Sequence, residues 1–496
     1  MIMSGGAFLV LCLVAAGPPG VSASQPNVLL MVADDLRTDL GCYGSRAITP
    51  HIDSLSARGA RFSRAYCQQA VCNPSRSSFL TGRRPDSLRL WSNGIHFREL
   101  TPDVVTLPQH FMANGYEARC VGKIFHNWHT REKGDRRSWS APEFLHYANH
   151  GDDAPMADLP LPPNFAKGIG RMYGKVPVCE CRDLPDEAYY DGRVAAEAVK
   201  ALGEKRERPL FLAVGFWKPH APFNAPRKYW DLYDRGAVSP PRSERPKDTP
   251  EIAFHDGREI LGAPPGRVDP TPAQVAEMRH GYLANISYMD AQVGKVLAAL
   301  EKAGMRDNTI VVFLADHGYH TGELGLWAKT SCFERDARVP LIVSAPGMTR
   351  PGTELADIAE LVDLFPTITA LCGVKPPPGM EGVDRSASVL KGAGAGKRAA
   401  FTQHPRPAYF DRTTSGVPEA MGYSARMDAG RYTEWRDWKT GTLRGVEYYP
   451  AADLPDPARN RAADPALAAE VGAARATLHA MFPPSIAPGS RQGVRP

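Results

Sequence analysis

The sequence predicts an α/β protein: a large, mostly parallel sheet sandwiched by helices, joined to a smaller C-terminal α+β domain. Three observations predict it. Short apolar runs recur and each ends abruptly in polar residues, helical periodicities lie between them, and after residue 397 the texture changes to closely spaced short strands and one helix. The 496 residues suit two or three domains. A hydrophobic fraction of 43% with 23% charged residues excludes wholesale disorder. The 45 glycines and 45 prolines exceed the usual shares of about 7% and 5%, which implies a compact core carrying long loops.

Residues 1–23 hold no charged side chain; an apolar stretch over 7–16 precedes Gly17-Pro18-Pro19-Gly20 and Val21-Ser22-Ala23. This predicts an export signal peptide, because the stretch falls well short of the ~20 apolar residues that span a bilayer. The expected location is therefore exported (periplasmic or secreted in a bacterium, lysosomal or extracellular in a eukaryote) with no stable membrane anchor. The runs 27–33 (NVLLMVA), 209–216 (PLFLAVGF), 309–315 (TIVVFLA) and 339–345 (VPLIVSA) read as strands buried on both faces of a parallel sheet. Over 273–303, Tyr282, Ile286, Met289, Val293, Val296 and Leu300 follow the 3.6-residue period, and Gly304 stops that helix. A second helix is predicted over 189–202.

Segments 131–185 and 234–272, rich in Pro, Gly and charge, read as surface excursions that carry substrate contacts. Residues 392–397 (GAGAGK) predict a linker between a catalytic domain at 24–391 and a smaller domain at 398–485. There, 423–425, 431–435 and 445–449 read as strands, and 465–482 as a helix with Leu467, Val471, Leu478 and Met481 on one face. Residues 486–496 are expected to be disordered.

In an open parallel sheet, ligands bind beyond the carboxyl ends of the strands. Asp34, Asp35, His220, Asp316 and His317 all fall there. Adjacent carboxylates repel unless a cation lies between them, and three converging on one point favour a hard divalent ion, most simply Ca²⁺. The balance of 59 basic and 54 acidic residues gives +5 with no long basic run. Nucleic acid is therefore not implied, whereas an anionic substrate is compatible. Nine cysteines are too few for a disulfide scaffold. Cys179-Glu180-Cys181 lacks a paired Cys/His motif for zinc, leaving a loop disulfide or free thiols. Asn285-Ile286-Ser287 is a glycosylation sequon inside a predicted helix, and the Trp435/Trp438 pair reads as packing ahead of sugar stacking.

The sharpest feature is 72–83, CNPSRSSFLTGR. By itself Cys72 could be a buried thiol, half of a disulfide with Cys67, or a thiolate activated by Arg76. The whole string, however, matches C-x-P-S-R-x-x-x-L-T-G-R, so the chain resembles the type I sulfatases of the alkaline phosphatase superfamily. Residues 115–126, with Gly122-Lys123-Ile124-Phe125-His126, resemble the second signature of that family, with Ala118 where Ser or Thr is usual. Blocks such as Lys218-Pro219-His220, Asp316-His317-Gly318, Trp327-Ala328-Lys329 and His404-Pro405-Arg406-Pro407 resemble its iduronate-2-sulfatase-like branch, which also carries His rather than Asn at position 317.

The resemblance implies a sulfuric ester hydrolase. Cys72 would be oxidised to formylglycine by a formylglycine-generating enzyme acting on the nascent chain. One Ca²⁺ would be held by Asp34, Asp35, Asp316, His317 and position 72. Arg76, Lys123 and Lys329 would hold the sulfate, His220 would protonate the leaving sugar oxygen, and His126 would serve the second hydroxyl of the aldehyde hydrate. The implied substrate is a sulfated carbohydrate, first of all a 2-O-sulfated uronic acid. The alternatives are another sulfated polysaccharide, a formylglycine-dependent phosphonate or phosphodiester hydrolase, and an inactive carbohydrate-binding protein.

Overall fold

Seven strands build the central sheet: β1 (Asn27–Asp34), β2 (Ala60–Tyr66), β3 (Glu117–Gly122), β4 (Leu210–Pro219), β5 (Thr309–Ala315), β6 (Arg338–Ser344) and β7 (Thr353–Glu360). Their spatial order is β7-β2-β6-β5-β1-β4-β3. The computed structural model describes residues 25–127, 130, 132–144, 179–262, 267–392 and 396–493. The predicted leader, most of the first excursion and the centre of the linker lie outside these residues.

Strands β5, β1, β4 and β3 are consecutive neighbours, all parallel, so their carboxyl ends share one edge. Every side chain of β4 and β5 is buried, as is every side chain of β1 after Asn27, so both faces of the sheet are covered. That is why these strands read as unbroken apolar runs. The 339–345 run was expected to be parallel as well; instead β6 pairs antiparallel with β5 and β2. Burial on both faces gives the same sequence signature in either direction.

The helices α1 (Pro50–Arg58), α4 (Tyr190–Gly203) and α5 (Pro272–Lys302) pack together and against the sheet. A second group comprises α2 (Cys72–Thr81), α3 (Leu107–Ala113) and α6 (Leu364–Leu371). Helix α5 begins one residue earlier than expected because Thr271 and Gln274 form a capping box with Pro272 in the first turn. Asn285 is fully buried and donates to the Gly281 carbonyl, so the sequon offers no glycan acceptor in the folded protein. No helix of the described residues is long and apolar enough to cross a membrane.

The C-terminal unit is an antiparallel meander of β8 (Ala399–Arg406), β9 (Ala420–Met427), β10 (Gly430–Asp437) and β11 (Leu443–Pro450). Helix α7 (Ala468–Met481) packs on it through Val471, Ala474 and Leu478. Trp435 is fully buried with its indole N–H on Glu447, and Trp438 packs edge-on against Trp91 at 5.1 Å, so both tryptophans serve packing. The tail expected to be disordered from residue 486 instead carries a 3-10 segment, Pro488–Gly493, with the Gly489 N–H bonded to the Trp438 carbonyl.

The sheet edge is fixed by a close backbone approach. A Cβ added at Gly215 on β4 would collide with the main chain of Lys123, whose N–H donates to the Gly215 carbonyl at 2.9 Å. Overpacking of this kind costs about 1–3 kcal/mol. Gly215→Ala is therefore expected to lower the melting temperature measurably, and unchanged melting would contradict this approach.

Candidate active site

Successive residues of a strand point to opposite faces, so two adjacent carboxylates at a strand end diverge unless the backbone breaks its alternation. It does so here: Asp34 ends β1 and Asp35 adopts a left-handed φ of 63°. The Asp35 N–H donates to Asp316 Oδ1 at 3.2 Å, while its carbonyl accepts from the Tyr282 hydroxyl at 2.8 Å. Two further left-handed residues, Ala328 (φ 69°) and Thr330 (φ 86°), flank Lys329. Such non-glycine conformations cost about 1–3 kcal/mol each and cluster where side chains must be aimed.

Cys72 is the first residue of α2, and Gly82 closes that helix in the left-handed region. Asn73 anchors the start: its N–H donates to Asn93 Oδ1 and its side-chain amide to the carbonyls of Ser92 and Ile95. The amino end of α2, with its partial positive charge, thus faces the carboxyl edge of the sheet. Cys72 Sγ lies 3.4 Å from His317 Nε2, 3.5 Å from Asp34 Oδ1 and 3.8 Å from Lys123 Nζ. All eight described cysteines are free, and Cys67 contacts the Asp336 carbonyl, so no disulfide links it to Cys72.

Asp34, Cys72, Asp316 and His317 each offer a ligand atom within 4.8 Å of the others. His317 Nδ1–H donates to the Gly318 carbonyl at 3.0 Å, which leaves Nε2 as the lone-pair nitrogen facing the cluster. Asp35 Oδ1 sits 3.5 Å from His317 Nε2, buried and without a hydrogen-bond partner. A carboxylate oxygen buried without a donor is strongly unfavourable, so this donor set fits a hard divalent cation. Without an ion, burial pushes Asp35 well above the usual carboxylate range despite Lys329. Burial also raises Asp34, but the charges of Lys123 and Arg76 outweigh it and hold Asp34 well below that range.

Two lysines complete the floor. Lys123, just past β3, pairs with Asp34 Oδ2 and lies 4.2 Å over the Trp217 ring. Lys329 Nζ donates to Asp35 Oδ2 (3.0 Å), Glu259 Oε1 (2.7 Å) and His220 Nε2 (3.2 Å). His220 Nδ1–H donates to the Ala221 carbonyl at 2.5 Å, so the ring is neutral with Nε2 accepting. Burial, then Lys329, lowers its pKa to about 3. His126 is buried three residues beyond Lys123.

Arg76, expected as a sulfate contact, bridges two of the aspartates. Its guanidinium is fully buried, with Nε on Asp316 Oδ2 (2.8 Å), Nη1 on the carbonyls of Lys123 and Ile124, and Nη2 on Asp34 Oδ1 (3.3 Å). It positions the carboxylates. Sequence reasoning missed Glu259, which stands in a charged excursion without a motif, and Trp217, whose only signal was its place between a strand and Lys218-Pro219.

The chain matches the Sulfatase family model over residues 26–374. It belongs to the sulfatase family. It is 33% identical over 478 residues to iduronate 2-sulfatase of Mus musculus, covering 82% of this chain and 84% of that protein. It is 31% identical over 400 residues to choline-sulfatase of Rhizobium meliloti, covering 75% and 74%. In fold it resembles a phosphonate monoester hydrolase from Silicibacter pomeroyi (TM-score 0.75, 22% identity, 92% of this chain and 95% of that one). It also resembles a 2-O GAG sulfatase (TM-score 0.67, 21% identity, 95% and 97%). This sulfatase-family site rests on Arg76. Arg76→Ala in metal-free protein is expected to cost about 3–5 kcal/mol, because it leaves Asp34 and Asp316 buried without their shared cation. Thermal unfolding at equal ionic strength checks this.

Proposed function

We propose that this sulfatase-family enzyme hydrolyses a sulfate monoester of a carbohydrate, first of all a 2-O-sulfated uronic acid, using formylglycine at position 72 and one Ca²⁺. The observation that carries the reading is the charge balance of the site. Four carboxylates (Asp34, Asp35, Asp316, Glu259) face three cations (Arg76, Lys123, Lys329). A divalent ion leaves one positive charge over, which a singly charged sulfate monoester neutralises and a doubly charged phosphate monoester would overshoot. The same balance admits a phosphonate monoester. Likeness to iduronate 2-sulfatase along most of the chain favours the sulfate and the uronic acid, with other sulfated polysaccharides as the next candidates.

Asp34, Asp35, Asp316, His317 and position 72 would hold the Ca²⁺, which supplies electrophilic polarisation of the sulfuryl oxygens. Formylglycine, as its hydrate, supplies two hydroxyls on one carbon, one to attack sulfur and one whose deprotonation releases sulfate. Lys123 and Lys329 grip the nonbridging oxygens. Asp316 Oδ2 takes the proton of the attacking hydroxyl, and His126 that of the second. As the bond from sulfur to the sugar oxygen breaks, the proton shared between Lys329 Nζ and His220 Nε2 passes to that leaving oxygen. The implied partners are the sulfated sugar and a formylglycine-generating enzyme that reads the 72–83 segment before folding buries it. Residues 1–23 lead us to place the enzyme outside the cytoplasm.

Cys72→Ala is expected to abolish hydrolysis of p-nitrophenyl sulfate and of sulfated disaccharides while the protein still folds. Retained activity would overturn the nucleophile. Mass spectrometry of the native-host peptide bearing position 72 should show formylglycine; unmodified cysteine in active enzyme would contradict the reading. Parallel assays with a p-nitrophenyl phosphonate monoester separate the two singly charged substrate classes. Chelation should remove activity, and Ca²⁺ should raise the melting temperature of wild type but not of Asp316→Asn.

A further inference from the structure

Glu259 sits on a helical turn, Arg258–Leu261, that packs against the Trp327–Ala328 strand leading into Lys329. Arg258 pairs with Asp256 at 2.6 Å and Gly257 enters the turn at φ 64°, so the base of Glu259 is fixed. Its carboxylate has two engagements. Oε1 accepts from Lys329 Nζ and stands 3.6 Å from His220 Nε2, and Oε2 accepts from the Tyr409 hydroxyl at 2.9 Å. Tyr409 lies just after β8, so the C-terminal unit reaches the site through this bond. The Glu259 side chain is 13% exposed and that of Lys329 2%, which makes the carboxylate the outer wall of the lysine.

Asp35, His220 and Glu259 place ligand atoms within 4.8 Å of one another, a spacing that also suits a metal. The Lys329 ammonium occupies their midst and gives one N–H to each. These acceptors are not equal. Asp35 also serves the cation cluster, and neutral His220 is the longest and weakest contact. Glu259 gives Lys329 its shortest contact, at 2.7 Å, and its other oxygen is held by the Tyr409 hydroxyl. With two carboxylates fixing Nζ, the third N–H can leave His220 for an oxygen of the substrate without moving the nitrogen.

We infer that Glu259 is a positioning residue for the reaction, acting through Lys329, with Tyr409 holding it in place; the inference rests on the sulfatase reading above. Without Glu259 the ammonium keeps one carboxylate, Asp35, and the weaker contact to His220, so it is drawn toward Asp35. Misplacement of a catalytic group by about 1 Å costs roughly 100-fold in rate.

The test is a double-mutant cycle on the calcium-loaded full-length enzyme with p-nitrophenyl sulfate. Glu259→Gln is expected to lose roughly 100-fold in kcat/KM with melting temperature and bound calcium unchanged. Glu259→Gln/Lys329→Ala is expected to be no slower than Lys329→Ala alone, because both changes remove one interaction. Tyr409→Phe is expected to lose about tenfold, as for a bond to a charged group, and to be silent in the Lys329→Ala background; it carries the same cycle if Glu259→Gln does not fold. Losses that multiply in the double variants, a Glu259→Gln enzyme within about threefold of wild type, or a loss that tracks unfolding or missing calcium each overturn the inference. Wild type inactive on every sulfate ester would sink the sulfatase reading and this inference with it, whereas active wild type indifferent to Glu259 would sink this one alone.

Discussion

Three aspartates buried at one sheet edge cannot remain ionised without cations around them, and the surrounding structure answers that requirement. Asp34, Asp35 and Asp316 are fully buried, where the cost of an uncompensated charge runs to several kcal/mol. Arg76 bridges two of them, Lys123 holds the first and Lys329 the second. Among these three carboxylates Asp35 Oδ1 is the buried oxygen without a hydrogen-bond partner, which fits the proposed cation.

This requirement explains features that packing alone would not favour. Left-handed conformations at Asp35 and on either side of Lys329, at Ala328 and Thr330, each carry a cost, and the two charged side chains among them meet at 3.0 Å. The four parallel strands that deliver Asp34, His220, Asp316 and Lys123 are neighbours in the sheet, so short loops suffice to converge their ends. Helix α2 closes the site from the other side, all ten of its residues buried.

Much of this was legible in the sequence, for physical reasons. The strands at 27–33, 209–216 and 309–315 stood out because they are buried on both faces. Strands β2 and β7 escaped notice because they alternate buried with partly exposed residues and carry charge. Strand β8 escaped because it ends in HPR before Pro407; Pro405 is tolerated there since β8 is an edge strand. In the site, motif spacing located Cys72, Lys123 and the aspartates, yet it could not show that the Arg76 guanidinium bridges Asp34 and Asp316. Glu259 and Tyr409 meet only through tertiary folding across 150 positions of sequence.

With a divalent ion bound, the site would carry one net positive charge. The most direct measurement compares kcat/KM of the calcium-loaded enzyme for p-nitrophenyl sulfate and p-nitrophenyl phosphate, at a pH where the phosphate carries two charges and the sulfate one. A strong preference for the sulfate is expected, narrowing as the pH falls and the phosphate becomes singly charged. Faster hydrolysis of the doubly charged phosphate would contradict it.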